Sequence, residues 1–249
     1  MGRRDGTLAS ILHDQGYGTR KDCAQLVRQG LVEVAHGTDA AMTWRPAADP
    51  VEEVSLEGLR LRVNGAALPY REKVYLALHK PGDCECSHVP THHRSVFSLL
   101  PGPLVGRGIQ AVGRLDADTT GLLLLSDSGE FNHYFTSPKR HIPKTYRVGT
   151  KHPIAEDQVA RITAGVDLRG EEETTLPAKV KLLEERSCEV TIEEGRYHQV
   201  KRMFAAVGNR VESIHRFAIG DLVLDEGLRP GAWKFLEAED LARLGFRET

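Results

Sequence analysis

The chain has 249 residues, 40% hydrophobic and 27% charged, proportions that suit one large domain or two unequal ones with a core that needs no disulfide or metal staple. Lys plus Arg is 33 against 35 Asp plus Glu, so the net charge of −2 argues for neither nucleic acid nor membrane, and any electrostatic function must come from local clustering. Four cysteines (Cys23, Cys84, Cys86, Cys188) are too few and too unevenly spaced for a secreted framework and imply a reducing, cytoplasmic compartment, while the run Leu122 to Leu125 is far short of a membrane span and Met1-Gly2-Arg3-Arg4-Asp5 leads into no apolar signal segment.

In chain order, Leu8, Ile11 and Leu12 recur at helical spacing until Gly16 and Gly18 break the pattern. A second helix is expected from Thr19, whose hydroxyl can cap it with Asp22 in its first turn, to Gly30. Leu31 to Val34 alternates like a strand. Residues 35–58, with Gly37, Pro46, Pro50 and Gly58, read as an irregular insertion, and Leu59 to Val63 before Asn64-Gly65 reads as a strand entering a hairpin turn. This gives a small N-terminal α/β module over 1–68.

From residue 72 to 249 the texture is that of a second, larger domain in which strands come in runs. Strands are expected at 74–78, 122–126, 144–150, 178–184 and 187–193, with a short helix after Ser95 and helices at 155–164, 197–207 and 237–244. Strands that do not alternate strictly with helices argue for an α+β class with a largely antiparallel mixed sheet.

The charges are sorted locally. Residues 136–151 hold Lys139, Arg140, Lys144, Arg147 and Lys151 and no acid. Residues 195–216 hold Arg196, Lys201, Arg202, Arg210 and Arg216 against Glu212 alone. The intervening 151–194 carries eleven acids against six bases. One basic block would be an ordinary solvated face, but two blocks around one motif-rich region, with Tyr146 and Tyr197 interleaved, suit a phosphate-binding cleft.

The stretch Gly113-Arg114-Leu115-Asp116-Ala117-Asp118-Thr119-Thr120-Gly121 places two carboxylates, two hydroxyls and two glycines just before the apolar run. Alone it admits several readings. Asp116-x-Asp118-x-Thr120 is similar to the nucleophile motif of magnesium-dependent aspartate-nucleophile phosphatases, though the apolar strand expected immediately before the first Asp is absent. Asp116 to Asp127 also has the span of a calcium loop, but Leu122 and Leu124 stand where oxygen ligands are needed. The plain alternative is a capped Asp-Thr turn without chemistry. Cys84-x-Cys86 with His79, His88, His92 and His93 invites a zinc site, yet the spacing is not C-x₂-C and no second cysteine pair follows, so no metal is expected.

Read together, Gly113 to Leu122, Lys144-Thr145-Tyr146, and Glu194-Gly195-Arg196-Tyr197-His198-Gln199-Val200-Lys201-Arg202-Met203-Phe204 resemble the three active-site motifs of the RsuA family of pseudouridine synthases, in that family's order and approximate spacing. The last stretch, continuing through Ala205-Ala206-Val207-Gly208-Asn209, is most similar to the branch that modifies 16S ribosomal RNA of the small subunit. The resemblance spans roughly residues 72–240. The N-terminal helices, with Arg20, Lys21 and Arg28, resemble the RNA-binding module that the family shares with a small-subunit ribosomal protein. Residues 1–70 hold eight bases against nine acids, so that module is not expected to bind RNA strongly alone.

The resemblance implies site-specific isomerisation of uridine to pseudouridine, without a cofactor. It implies that Asp116 is the catalytic carboxylate and that Tyr146 packs on the target base. At the third motif related enzymes commonly carry Arg, and Lys201 stands here, a point charge in place of a planar fork. A carboxylate that must stay ionised beside a base needs such a cation. Arg202 falls on a different helical face. Arg114 is expected to assist base extrusion or hold a phosphate, and Lys139, Arg140, Lys144, Arg196 and Arg202 to bind RNA. The expected partner is 16S ribosomal RNA or a small-subunit assembly intermediate, with no membrane and a monomeric enzyme. A non-catalytic ribosome-assembly RNA-binding protein, which the N-terminal module alone would suggest, stays open at this point.

Overall fold

The computed structural model describes residues 5–37 and 42–247, and these fall into two compact units: 5–37 and 42–74 with 100–109, and 75–99 with 110–247.

In the first unit a short strand β1 (Asp5–Thr7) leads into helix α1 (Leu8–Asp14) and then α2 (Arg20–Arg28). The sequence signal at Thr19 is realised as a capping box. Thr19 Oγ1 accepts the Asp22 N–H at 3.2 Å, and the Asp22 carboxylate accepts the Thr19 N–H at 3.0 Å. Strands β2 (Val32–His36), β3 (Arg45–Pro46), β4 (Glu53–Ser55), β5 (Leu59–Val63) and β6 (Ala66–Pro69) follow. An antiparallel sheet runs β3-β2-β5-β6, and β4 pairs with β1. Leu8, Ile11, Leu12, Cys23 and Val27 bury the helices against Val32, Val34, Leu59, Leu61 and Val63.

The segment 35–58 differs from the irregular insertion expected. It begins inside β2, and β3 and β4 are built into the module, with Ala47 and Val54 in its core. Strands of two or three residues are too short to show a period, so sequence pattern cannot reveal them. Residues 38–41 lie outside the described residues. Helix α3 (Gly102–Gly106) also belongs to this unit.

In the second unit β7 (Tyr75–Lys80) is followed by β8 (Cys84–Glu85), β9 (Arg94–Ser95) and a 3₁₀ turn, Val96–Leu99. Then come β10 (Gln110–Ala111), β11 (Thr120–Ser126), helix α4 (Gly129–Thr136), β12 (Lys144–Thr150) and α5 (Glu156–Ala164). The rest is β13 (Lys179–Glu184), β14 (Ser187–Ile192), α6 (Gln199–Ala206), β15 (Val211–Ile219), β16 (Leu222–Val223), β17 (Trp233–Phe235) and α7 (Ala238–Arg243).

Nine of these strands form one sheet, β13-β14-β12-β15-β11-β7-β17 with β10 on β11 and β16 on β15. Its pairs are antiparallel except β11 with β15, so the mixed, largely antiparallel α+β expectation holds. Helix α4 was not expected, because Asp127-Ser128-Gly129 reads as a turn. Ser128 is in fact its N-cap, accepting the Phe131 N–H at 3.2 Å, and Phe131 and Phe135 bury one face against Tyr75, Leu122 and Leu124.

Candidate active site

The Gly113–Thr119 loop joins β10 to β11, and two side chains, one at the end of β7 and one just after β8, grip its backbone. Lys80 is wholly buried, yet its ammonium donates to the carbonyls of Pro81 (3.0 Å), Ala117 (3.0 Å) and Thr119 (2.8 Å). Burial lowers the lysine's affinity for its proton, and the nearby Cys86, Cys84, Asp118 and Asp116 oppose that only in part. From the other side the Cys86 thiol lies 3.5 Å from the Leu115 N–H and 3.6 Å from the Leu115 carbonyl. Gly121 closes the loop at a φ of 109°, and a Cβ there would stand 2.1 Å from the Arg216 carbonyl oxygen, so only glycine lets β11 approach β15. Arg216 is 97% buried by complement of its 3% exposure and donates from Nε to the Leu122 carbonyl at 2.9 Å.

On this clamped loop Asp116 is held at both oxygens. His198 Nε2 lies 3.2 Å from Oδ1, and Lys201 Nζ lies 3.2 Å from Oδ2. Lys201 also reaches Asp118 Oδ1 at 2.6 Å, so one ammonium bridges two carboxylates. Burial opposes the Lys201 charge, but the hydrogen bonds and charges of Asp118 and Asp116 outweigh it and hold the ammonium above the ordinary lysine range. Burial likewise pushes the Asp118 carboxyl up, and the hydrogen bond and charge of Lys201 bring it below the ordinary range. His198 is the N-cap of α6, and Lys201 follows three residues later in the first turn of the helix. That spacing is the sequence signal that could have assigned His198 a role, and the sequence reading quoted the residue without one. Asp118, on the same loop, is the nearer of the two partners of Lys201. Nothing in the pattern around Lys80 or Cys86 announces the loop clamp.

Tyr146 stands outside this ion-pair cluster, buried on β12 and paired with Arg216 of β15, two strands from β11. Lys144, on the same strand, donates to the Ile142 carbonyl at 2.9 Å. Burial, with the nearby Arg216 charge adding to it, lowers its pKa to about 8. Arg114, Lys139 and Arg140 are exposed, with the Arg140 guanidinium 4.0 Å above the Tyr134 ring. Arg20, Lys21 and Arg28 are exposed on α2 of the first unit.

Arg196 and Arg202 differ from the open phosphate ligands that charge counting suggests. Arg196 pairs with Glu194 at 3.0 Å and Glu171 at 3.6 Å, and donates to the Glu173 and Thr174 carbonyls. Arg202 pairs with Glu171 at 2.7 Å and donates to the Arg169 carbonyl at 2.8 Å. The acidic block between the two basic ones thus supplies their partners, which a count along the chain cannot show. Arg202 also donates to the Tyr197 carbonyl at 3.1 Å.

A family model described as RNA pseudouridylate synthase matches residues 74–206, a segment that contains the clamped loop, β12 and α6. The chain belongs to this family. Among its relatives are proteins named ribosomal small subunit pseudouridine synthase A. The one from Vibrio cholerae is 39% identical over 240 residues, covering 95% of this chain and 98% of its own. The one from Haemophilus influenzae is 46% identical over 173 residues, 70% of this chain and 74% of its own. A crystal structure of a pseudouridylate synthase superposes with a TM-score of 0.66 at 36% identity, over 96% of this chain and 99% of that one.

Membership of the RNA pseudouridylate synthase family removes the phosphatase reading of Asp116 and Asp118. Cys84 and Cys86 are also engaged by protein groups. Arg94 Nε lies 3.2 Å from the Cys84 sulfur, Cys86 holds Leu115, and Glu85 accepts the N–H groups of Thr91, His92 and His93. Among the described residues no helix is long and apolar enough to cross a membrane.

Proposed function

We propose that the chain isomerises uridine to pseudouridine in ribosomal RNA of the small subunit, with Asp116 as the catalytic carboxylate. The observation that carries the assignment is the double hold on Asp116, His198 at one oxygen and Lys201 at the other, on a loop whose backbone Lys80 fixes. The reaction breaks the N1–C1′ bond, turns the uracil and joins C5 to C1′, after which C5 gives up its proton and the freed N1 takes one up. No redox change occurs, so one positioned carboxylate can carry it. A group fixed before substrate arrives needs no reorganisation in the transition state.

In this reading Lys201 supplies the cation beside Asp116, and Tyr146 packs on the base and takes the C5 proton. Arg114, exposed beside Asp116 in sequence, helps the uridine leave its stack, at a cost of a few kcal/mol. Lys139 and Arg140 bind phosphates, as does Lys144 in its charged form, and Arg20, Lys21 and Arg28 give the first unit its RNA-facing charge. Arg196 and Arg202 serve RNA binding indirectly, by fixing the segment 169–174 beside the third motif. The enzyme works as a cytoplasmic monomer on 16S ribosomal RNA or an assembly intermediate, and its four free cysteines suit that compartment.

Tritium release from small-subunit RNA labelled at uridine C5, with pseudouridine mapping in a deletion strain, tests the reading. The wild type should release tritium at one mapped position. Asp116→Asn should abolish release while keeping RNA affinity within about tenfold, because the phosphate contacts survive. Turnover by purified Asp116→Asn would overturn the assignment, and absence of release by the wild type would favour the non-catalytic RNA-binding alternative.

A further inference from the structure

The approach to α6 carries an aromatic arrangement that the reaction itself does not use. Tyr197 is 74% exposed, and its ring stacks on the His198 ring with centroids 3.8 Å apart and planes within 20°. The other edge of that imidazole holds Asp116. The outer ring of the pair therefore lies one imidazole away from the carboxylate. His198 adopts a left-handed backbone conformation, φ 48°, which is uncommon for a non-glycine residue and turns the chain sharply into α6. Arg202 holds this turn by donating to the Tyr197 carbonyl at 3.1 Å, and its own N–H bonds the His198 carbonyl at 3.0 Å. One face of the tyrosine is thus covered by imidazole, its backbone is fixed, and an exposed aromatic surface remains.

We propose that Tyr197, backed by His198, is a stacking step for the base adjacent to the target uridine in single-stranded or locally opened RNA. The proposal rests on the reading that Asp116 acts on an RNA uridine. Turning a uridine out of its stack leaves its neighbour without a partner on that side, and an aromatic face restores the lost contact. Every base has a π face, so the step registers that a base is present without selecting which one. Because the ring is already held in place, little ordering cost falls on binding. Tyr197 is accordingly a binding residue that aligns the strand at Asp116. Its role differs from that of the basic residues, since stacking does not depend on salt in the way that phosphate contacts do.

The test is a thermodynamic cycle between the protein ring and the RNA base, using a small-subunit ribosomal RNA fragment that spans the mapped uridine. Two further fragments carry an abasic nucleotide immediately 5′ or 3′ of it. Tyr197→Ala should weaken binding of the intact fragment about tenfold, and Tyr197→Phe should stay within about twofold because the ring is kept. One of the abasic fragments should bind the wild type about tenfold more weakly and bind Tyr197→Ala no more weakly than the intact fragment does, the non-additivity expected of a shared contact. The Tyr197→Ala loss should persist as salt is raised.

Independent losses for both abasic fragments, or an unchanged affinity of Tyr197→Ala, would overturn the proposal. Tritium release by the wild type from the intact fragment is measured alongside. If release occurs and the cycle is additive, only the stacking step is refuted. If the wild type releases no tritium, the reading on which it rests has failed as well.

Discussion

Lys201→Met removes a unit charge that lies 3.2 Å from Asp116 Oδ2 and 2.6 Å from Asp118 Oδ1, while keeping a stem of similar length. At a separation of 3.2 Å two unit charges interact by about 1 kcal/mol at the dielectric of water and by about 5 kcal/mol at an effective value of 20. The two side chains are 26% and 29% exposed, so the pair lies between those limits. A working value of about 2–3 kcal/mol corresponds to a loss of roughly 30- to 160-fold in rate if the ammonium acts in the transition state. His198 still holds Asp116 Oδ1 in this variant, which keeps the loss below that of Asp116→Asn.

The assay is single-turnover tritium release at saturating RNA across pH 5 to 9. Lys201 is what outweighs burial at Asp118. Without it burial pushes the Asp118 carboxyl up, so the deficit should be largest at acid pH and shrink as pH rises. Lys201→Arg should keep substantial activity, since the charge remains although a planar head replaces a compact one. The reasoning fails if Lys201→Met binds RNA more weakly, with a shallower salt dependence, yet keeps the wild-type rate and pH profile. Lys201 would then be a phosphate contact. Arg202 could not replace it at Asp116 without giving up Glu171.

Lys80→Met takes the donor from three carbonyls, the part-buried Pro81 and Ala117 and the buried Thr119, and should cost roughly 3 kcal/mol in urea unfolding as well as activity. A loss below about 1 kcal/mol would mean that the loop holds its shape without the ammonium. The loop after β8 should respond to acid. Hydrogen bonds from Thr91, His92 and His93 lower the Glu85 pKa from 4.5 to about 2, so its stabilising effect is complete above pH 4.5 and is lost as pH falls toward 2. Amide-exchange protection at Thr91 to His93 should decline through that window, and Glu85→Gln should lower it already at neutral pH. Protection that is the same at pH 5 and pH 3 would refute this account.

Much of the candidate site was legible along the chain because its residues sit in short contiguous motifs. Gly113 to Gly121, Lys144 to Tyr146 and Glu194 to Phe204 named Asp116, Tyr146 and Lys201 together, and the family match over 74–206 spans all three stretches. The principal strands and helices were likewise legible where a local signal exists, as in the Thr19–Asp22 capping box, the Asn64-Gly65 turn and the seven-residue β12. Local signals failed where elements were very short, as with β3 and β4, or where one residue type serves two purposes, as Ser128 does in capping α4.

The pairing of charges was decided only by tertiary structure. Lys201 divides itself between Asp116 and Asp118 across 85 and 83 residues of chain, the differences between their numbers. Glu171 takes Arg196 and Arg202 out of the apparent basic patch, and Lys80 crosses from β7 to hold a loop 37 residues later. A motif reports which groups are present, but an ion pair depends on distance and burial. Those are properties of the folded sheet, in which β7, β11 and β15 lie side by side although far apart in sequence.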